Sequence, residues 1–341
     1  INSYKLKNMK LKKNKIYNYL TVFLISHIII WTLVPSISNQ NLPLDTIEAL
    51  AWGNSLDWGY SKHPPLSAWA VEFFFKIFGS QDWAYYLLSQ IFITSTFLII
   101  FKFTEDFFEN KIHRFLSILL LVGISFYNFT TPEFNVYICA LPFIALTTLY
   151  CWKGINNNNY TNWLLFGFFA GLGVLSHYLF IYLLVALEIF FIYLIIIKKF
   201  NFRCLISIYS FILVLIPHFV WLVDNNYTTI TYAFERTGLE NLNTFLNHLI
   251  HPFVFLGKQI GILIPFLIMG LLAVPNFKNK INLKDKKLLF LISITILPLV
   301  LIFITSLVLG IKIRTMWMTP FYLFLGVLFV YIFKKKIYLN N

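Results

Sequence analysis

A short stretch of this largely apolar chain, DTIEALAWGNSLDWGYSKHPPLSAW, carries several side chains that can do chemistry. Asp45 and Glu48 share one helix face because they are three positions apart. Lys62 and His63 stand before two prolines, which exclude helix at this step and favour an extended backbone at His63. A carboxylate can act as a general base and a basic pair can bind an anion. The stretch is therefore a candidate site.

Each of these residues also has an ordinary structural explanation. Asp45 followed by Glu48 is typical of a helix N-cap arrangement. Lys62 before Pro64 and Pro65 is typical of a helix start whose lysine contacts lipid phosphate. A cap and a catalytic carboxylate are not exclusive, so the residue pattern leaves both interpretations open.

Three polar residues outside this stretch are further candidates. Glu133 lies in TTPEFN, a turn between two apolar runs, where it is either functional or part of a helix start with Thr131 as cap and Pro132 in the first turn. His177 in LSHYLF and Arg236 in AFERTG lie at other turns and can each bind a phosphate group.

Two further patterns bear on alternative functions. His248 and His251 have HxxH spacing without an adjacent glutamate, so zinc binding is not expected. Glu188 lies in the middle of an apolar run, where we expect its side chain to face the bundle interior and find a partner. An ion path through this position would be typical of a transporter.

The composition places these residues in a membrane protein. Of the 341 residues, 59% are hydrophobic and 12% are charged, whereas a soluble domain has roughly 25% charged residues. We predict an all-α integral membrane protein with about ten transmembrane helices in a single domain, 1–341, without a separate soluble C-terminal domain. The predicted spans lie near 17–34, 81–101, 115–130, 134–151, 162–176, 178–197, 204–222, 252–275, 288–309 and 315–333.

The distribution of charge predicts which loops face outward. Most of the 27 Lys and Arg residues fall on one side of this topology, which predicts an N-terminus inside. The formal charge of +13 is thus explained by topology, and no nucleic-acid partner is expected. Two outer loops, 35–80 and 223–251, are long enough to build a site. Segment 64–79 is predicted as an interfacial helix within the first.

The sequence motifs resemble those of a known family. LDTIEALAWGNSLDWGYSKHPPLSAW resembles the first outer loop of bacterial GT-C superfamily glycosyltransferases related to dolichyl-phosphate-mannose protein mannosyltransferases and to the aminoarabinose-to-lipid-A transferase. TTPEFNVYICALPF, LLFGFFAGLGVLSHYLF and LIPHFVWLVDNNYTTITYAFERTG are similar to later motifs of that family, in the same order. The resemblance covers roughly 42–238. It departs at Thr46, where the family has an acidic residue that Glu48 would have to replace.

The resemblance implies an activity and assigns roles. It implies sugar transfer, hexosyl or pentosyl, from a polyprenyl-phosphate donor to a lipid, glycan or protein acceptor such as lipopolysaccharide. Transfer would take place on the outer face of the cytoplasmic membrane, with inversion. Asp45, Glu133 and His63 are the expected catalytic residues, with Asp45 as general base. The expected substrate-binding residues are Lys62, Glu48, His177, Arg236 and Tyr60. No cofactor is required by the pattern, and a divalent metal at Asp45 and Glu133 is left open, as is a transporter of lipid-linked sugars.

Overall fold

The computed structural model describes residues 2–157, 159–237, 245–274 and 281–337, and within these ranges the chain forms helices and no β-strand. The all-α prediction is therefore confirmed. The helices are α1 (Asn2–Ser38), α2 (Leu44–Gly53), α3 (Leu66–Phe78), α4 (Asp82–Phe103), α5 (Lys111–Leu119), α6 (Val136–Asn157), α7 (Tyr160–Ser176), α8 (Ile181–Ile196), α9 (Ile206–Asp224), α10 (Thr228–Thr237), α11 (Asn247–Ala273), α12 (Lys286–Thr295), α13 (Leu297–Leu309) and α14 (Leu325–Phe333).

Six segments of the described chain are long and apolar enough to cross a bilayer. They are Lys15–Ser38, Asp82–Asp106, Val136–Asn157, Tyr178–Ile196, Phe202–Asp224 and Asn247–Ala273. Two bent pairs, α12 with α13 and the 3₁₀ segment Thr315–Tyr322 with α14, bring the number to eight if each pair is one span. The helix α7 is apolar but has only 17 residues. The chain is thus a multi-pass membrane protein, and the predicted count of ten spans is not confirmed.

Prolines lie close to both bends. The axes of α12 and α13 differ by 40°, and Pro298 stands at the start of α13. The second pair is bent by 51° and contains Pro320. Proline lacks the N–H that would bond to the preceding turn, so a helix bends or breaks there.

The predicted span at 115–130 departs most from the expectation. After α5 the chain forms two short 3₁₀ turns within 120–127 instead of continuing as α-helix. A Cβ atom at Gly123 would lie 2.6 Å from Cα of Phe266, so α11 packs directly on this backbone. The Asn128 side chain then donates to a carbonyl of the broken turn at 2.6 Å. A side-chain bond thus satisfies a group that regular helix would have satisfied.

Close helix packing forms the centre of the bundle. The helix α6 packs against α4 and α7, and α7 packs against α9. A Cβ atom at Gly167 would lie 1.9 Å from the carbonyl oxygen of Ser207, so the glycine permits this approach of α7 and α9. Small residues at such contacts are typical of membrane helix bundles.

Glu188 lies on the outside of this bundle. The sequence predicted that its side chain faces the interior, but the structure places it exposed on α8. It makes no ion pair with another described residue. The prediction was wrong because a sequence gives the depth of a residue in the membrane but not the face of the helix it occupies.

The segment 35–80 contains two short helices, α2 and α3, as expected. In the packing of α2 on α3, a Cβ atom at Gly53 would lie 2.7 Å from the carbonyl oxygen of Ala68. The helix α3 exposes Phe73, Phe75 and Ile77. Phe73 and Ile77 are four positions apart and share one exposed face, and apolar side chains on an exposed face are typical of a helix at a membrane surface.

Candidate functional site

A cavity of about 490 Å³ lies where α2, α10 and the segment 311–317 converge. All of the predicted site residues except Tyr60 line it: Asp45, Glu48, Lys62, His63, Glu133, His177 and Arg236. The lining also includes residues that the sequence analysis did not select, among them Tyr137, Tyr178, Tyr182, Tyr232, Arg314 and Trp317. Residues that are far apart in the sequence are thus brought to one end of the bundle.

Asp45 and Glu133 meet at the start of α2. The N-cap position of this helix is Pro43, and Asp45 lies in its first turn. The backbone N–H of Asp45 donates to Oε1 of Glu133 at 3.3 Å. Glu133 thereby satisfies one of the N–H groups that a helix start leaves open. The N-cap interpretation of Asp45 is therefore wrong.

The capping interpretation of the Glu133 turn needs a similar correction. The helix α6 begins at Val136, and the side-chain oxygen of Asn135 accepts from the N–H groups of Tyr137 and Ile138, both at 3.1 Å. Thr131 does not cap this helix, since its hydroxyl donates to the carbonyl of Asn128. Asn135 caps α6, and Glu133 is available to the cavity and to α2.

Both carboxyl groups have raised pKa values. Burial raises the pKa of Asp45, the charge of Glu48 adds to the rise, and the positive charge of Lys62 opposes it. Burial also raises the pKa of Glu133, and the charge of Asp45 adds to that rise. Raised carboxyl pKa values in a cavity are typical of groups that exchange protons during a reaction.

The departure at Thr46 has a structural explanation. Thr46 is fully buried, and its hydroxyl donates to the carbonyl of Phe134 at 3.1 Å. This bond fixes α2 against the Glu133 turn. Glu48, which lines the same cavity, forms an ion pair with Lys62 at 2.5 Å.

His63 and His177 are neighbours in the lining of the cavity. Their ring centroids are 6.2 Å apart. Nδ1 of His177 accepts from the N–H of Leu179 at 3.1 Å, so the proton of the neutral ring is on Nε2. Burial lowers the pKa of His63 to about 4 and that of His177 to about 3. Near neutral pH both rings are uncharged and can offer hydrogen bonds, but not positive charge, to a phosphate.

Two arginines supply the charge that the histidines lack. Arg236 on α10 is exposed and Arg314 is half-buried, and both line the cavity. In the described chain neither guanidinium lies within ion-pair distance of a carboxylate. Sequence analysis missed Arg314, although it is one of the few basic residues on the side of the topology where lysine and arginine are rare. That imbalance was the signal that could have identified it.

The segment 35–80 is attached to the bundle through His218. Nδ1 of His218 lies 2.5 Å from the carbonyl oxygen of Trp58, and Nε2 lies 2.7 Å from the hydroxyl of Tyr178. A carbonyl can only accept, so Nδ1 carries the proton and Nε2 accepts from the tyrosine. This side chain of α9 therefore connects the segment 35–80 with a residue of the cavity wall.

Tyr60 connects the segment 35–80 with α10 and does not line the cavity. Its carbonyl accepts from the hydroxyl of Thr229 at 2.6 Å, and its buried ring stacks on Trp52 with the centroids 5.7 Å apart. The neighbouring Gly59 allows a close contact, since a Cβ atom there would lie 2.3 Å from the ring of Trp221. The geometry thus gives Tyr60 a positioning role.

The arrangement of possible ligands in the described chain limits how a metal ion would be bound. Among the described residues no group of three or more His, Cys, Asp or Glu side chains is arranged to hold a metal ion. Asp45 and Glu133 can offer two carboxylates. His248 and His251 lie near the carbonyls at the end of α13, with Nδ1 3.0 Å from the oxygen of Leu307 and 2.7 Å from that of Gly310.

Comparison with known families agrees with the motifs. Residues 62–221 match the model of the family described as dolichyl-phosphate-mannose-protein mannosyltransferase. The resemblance predicted from the sequence is therefore confirmed over this segment, which includes His63, Glu133 and His177 and begins after Asp45. No match was found among curated proteins.

A solved structure shows the same fold. It is the crystal structure of ArnT from Cupriavidus metallidurans bound to undecaprenyl phosphate, with a TM-score of 0.67 and 14% sequence identity. The alignment covers 92% of this chain and 60% of that one, so this chain spans about three fifths of the length of ArnT. The chain therefore shares its helical membrane fold with that structure.

Proposed function

We propose that this protein is a glycosyltransferase that moves a sugar from a polyprenyl-phosphate donor to a hydroxyl of a lipid, glycan or protein acceptor. The observation that carries the proposal is the composition of one cavity. Two half-buried carboxyls, Asp45 and Glu133, share it with two arginines, Arg236 and Arg314, that have no carboxylate partner in the described chain. The carboxyl pair suits proton transfer, and the arginine pair suits the binding of a phosphate.

Sugar transfer needs both the carboxyl pair and the arginine pair. The acceptor oxygen attacks the anomeric carbon, its proton passes to the Asp45 carboxylate, and the bond between that carbon and the phosphate oxygen breaks. The leaving polyprenyl phosphate keeps the electron pair, and the guanidinium groups of Arg236 and Arg314 stabilise its charge. A single displacement inverts the configuration at the anomeric carbon. Glu133 holds the start of α2 and so positions Asp45.

The remaining cavity wall suits the other parts of the donor. Apolar side chains from α13 and the following segment, including Ile302, Leu309 and Ile313, line one side. A polyprenyl chain would lie against them while the phosphate and sugar stay in the polar part. His63 and His177 would hydrogen-bond the sugar or phosphate as neutral rings. The two carboxylates would be the ligands of any divalent ion.

The charge distribution supports an orientation and a location. Basic residues concentrate at the opposite end of the predicted topology from the cavity, which supports an N-terminus in the cytoplasm and a cavity facing the periplasm or exterior. We accordingly assign the protein to the cytoplasmic membrane, with 1–341 acting as one membrane domain in which loops 35–80 and 223–251 build the site.

A transfer assay tests the proposal. Purified protein in liposomes is given radiolabelled sugar on polyprenyl phosphate together with extracted acceptor lipids. We expect the label to move to the acceptor fraction with release of polyprenyl phosphate. The Asp57→Asn variant serves as the control, because Asp57 is exposed in the same loop and does not line the cavity.

The same assay distinguishes a transferase from a transporter of lipid-linked sugars. One of the observations behind that alternative was a carboxylate expected inside the bundle, and the structure places this carboxylate, Glu188, on the outside. Label that crosses the membrane still attached to polyprenyl phosphate, without any cleavage, would support a transporter and contradict the transferase.

A further inference from the structure

The junction between α7 and α8 fixes the ring of His177. The helix α7 ends at Ser176, and the backbone of His177 is extended. Its side chain caps the 3₁₀ turn that follows, Tyr178–Phe180, because Nδ1 accepts from the N–H of Leu179 at 3.1 Å. The backbone N–H of His177 donates to the carbonyl of Gly173, also at 3.1 Å. The fold itself thus sets the position of this ring, without a ligand.

The cap also decides which ring nitrogen carries the proton. Because Nδ1 accepts, the neutral ring of His177 is protonated at Nε2. Nε2 makes no hydrogen bond within the described chain, yet it is not sealed from solvent. The residue is only 9% exposed and lines the cavity. The cavity is therefore faced by a buried N–H donor without a partner, which is costly unless a ligand bonds to it.

His177 lies away from the charged residues of the cavity. Besides burial, three charged residues act on the pKa of His63, namely Glu48, Lys62 and Arg236. Burial and, to a smaller extent, His63 lower the pKa of His177 to about 3, and no carboxylate, lysine or arginine of the described chain contributes. The ring of Tyr137 lies beside that of His177, with the centroids 4.8 Å apart. Burial that disfavours a cationic ring also disfavours an anion, so this part of the cavity suits an uncharged polar group.

We propose that His177 determines sugar specificity, because its Nε2–H donates to a hydroxyl or carbonyl oxygen of the donor's sugar and not to the phosphate. A sugar that presents an ammonium group at this position is rejected, since two donors would then face each other without an acceptor. The sugar is therefore uncharged where it meets His177. This inference rests on the proposed function, which places a polyprenyl-phosphate sugar in the cavity.

The first test examines the tautomer without a ligand. The full chain, labelled with ¹⁵N-histidine, is placed in nanodiscs and its ring nitrogens are recorded by NMR, with His177→Gln identifying the signals of His177. We expect a protonated Nε2 and an unprotonated Nδ1 near neutral pH. A protonated Nδ1 would overturn the inference, whatever the protein binds.

The second test separates the sugar from the phosphate. Sugar-free polyprenyl phosphate should bind His177→Phe as tightly as it binds the unmodified protein, because the lost N–H does not face the phosphate. A loss of affinity as large as that in Arg314→Gln would place the phosphate at His177 and overturn the inference. No binding to the unmodified protein would contradict the proposed function, and the inference with it.

The third test uses donors that differ by one group. Polyprenyl-phosphate glucose, mannose and galactose are compared first, and the tightest binder is then compared with its monodeoxy and monoamino forms at each ring position. At one position we expect the deoxy form to bind the unmodified protein roughly 5- to 50-fold more weakly, and the amino form more weakly still, since a buried donor loses its acceptor. The three forms should bind His177→Phe to a similar extent.

Two further variants complete this comparison. His177→Gln should tolerate the amino form, because an amide offers an acceptor as well as a donor. His113→Phe is the matched control and should keep the selectivity of the unmodified protein, since His113 lies on α5 and does not line the cavity. Equal thermal unfolding shows that the variants are folded. Unchanged selectivity in His177→Phe, or equal binding of all forms by the unmodified protein, would overturn the inference.

Discussion

Two kinds of hydrogen-bond donor meet in the cavity, and they have different roles. The guanidinium groups of Arg236 and Arg314 are charged at every physiological pH. Burial lowers the pKa values of His63 and His177 to about 4 and about 3, so both rings are neutral. Charge neutralisation of a phosphate therefore falls to the arginines, while the histidines act through hydrogen bonds alone.

The arginines are expected to control donor affinity. Arg236→Gln and Arg314→Gln should each weaken binding of polyprenyl phosphate by roughly 10- to 100-fold, because a hydrogen bond to a charged group contributes about 1.5–3 kcal/mol. Binding to protein in nanodiscs measures this. Lys312→Gln is the matched control, since Lys312 is exposed close to Arg314 and does not line the cavity. An equal loss of binding in Lys312→Gln would show that the overall positive charge of this region, and not these two arginines, attracts the phosphate.

The ionisation of Asp45 is expected to set the acidic limb of the pH profile. Asp45 must be ionised to accept a proton. Burial and the charge of Glu48 raise its pKa. As the pH falls, transfer should therefore be lost at a higher pH than it would be with an ordinary aspartate. Glu48→Gln removes a neighbouring negative charge and should move the limb to lower pH. Lys62→Gln removes a positive charge that lowers the Asp45 pKa and should move it to higher pH.

The pH profile of kcat/KM for these two variants checks the assignment. Asp82→Asn, which removes an exposed carboxylate that does not line the cavity, should leave the profile unchanged. Shifts of the Glu48 and Lys62 variants in the same direction would contradict Asp45 as the titrating base.

At the scale of elements, contacts between loops hold the cavity in shape. Glu133 bonds the start of α2, the Thr46 hydroxyl bonds the adjacent carbonyl of Phe134, and Thr229 on α10 bonds Tyr60 in the first loop. Each of these bonds joins segments that are far apart in the chain. The position of the carboxylates therefore depends on how α2 and α10 dock on the bundle.

The contact at Gly59 tests this dependence. Gly59→Ala would put a Cβ atom 2.3 Å from the Trp221 ring, so the first loop must move away from α9. We expect a loss of stability of about 1–3 kcal/mol, as for other overpacked sites, together with reduced transfer. Thermal unfolding and the transfer assay measure the two effects.

Gly257→Ala provides the comparison for Gly59→Ala. No atom lies within 4 Å of a Cβ built at Gly257, which is in α11, and alanine favours helix more than glycine does. This variant should unfold at or above the temperature of the unmodified protein. Wild-type unfolding and transfer in Gly59→Ala would show that the loop is not held as described.

At the scale of the molecule, the sequence predicted the helical membrane fold and selected seven of the eight charged or histidine residues that line the cavity in the described part of the chain. The selection succeeded because carboxylates and prolines stand out in an apolar chain. It missed Arg314, although the scarcity of lysine and arginine on that side of the predicted topology was a signal for this residue. The sequence also did not predict the exposed position of Glu188, the position of Tyr60 outside the cavity lining, or the broken helix at 120–127. Tertiary packing decides all three.

The central claim is that Asp45 removes the proton from the acceptor hydroxyl in the cavity. The most direct measurement compares Asp45→Asn with the unmodified protein in two readouts, the dissociation constant for polyprenyl phosphate and the rate of sugar transfer in a single turnover. We predict a dissociation constant within about threefold of the unmodified value and a transfer rate reduced by about 10²–10⁴-fold, as expected for a general base. Undiminished transfer by Asp45→Asn would contradict the claim.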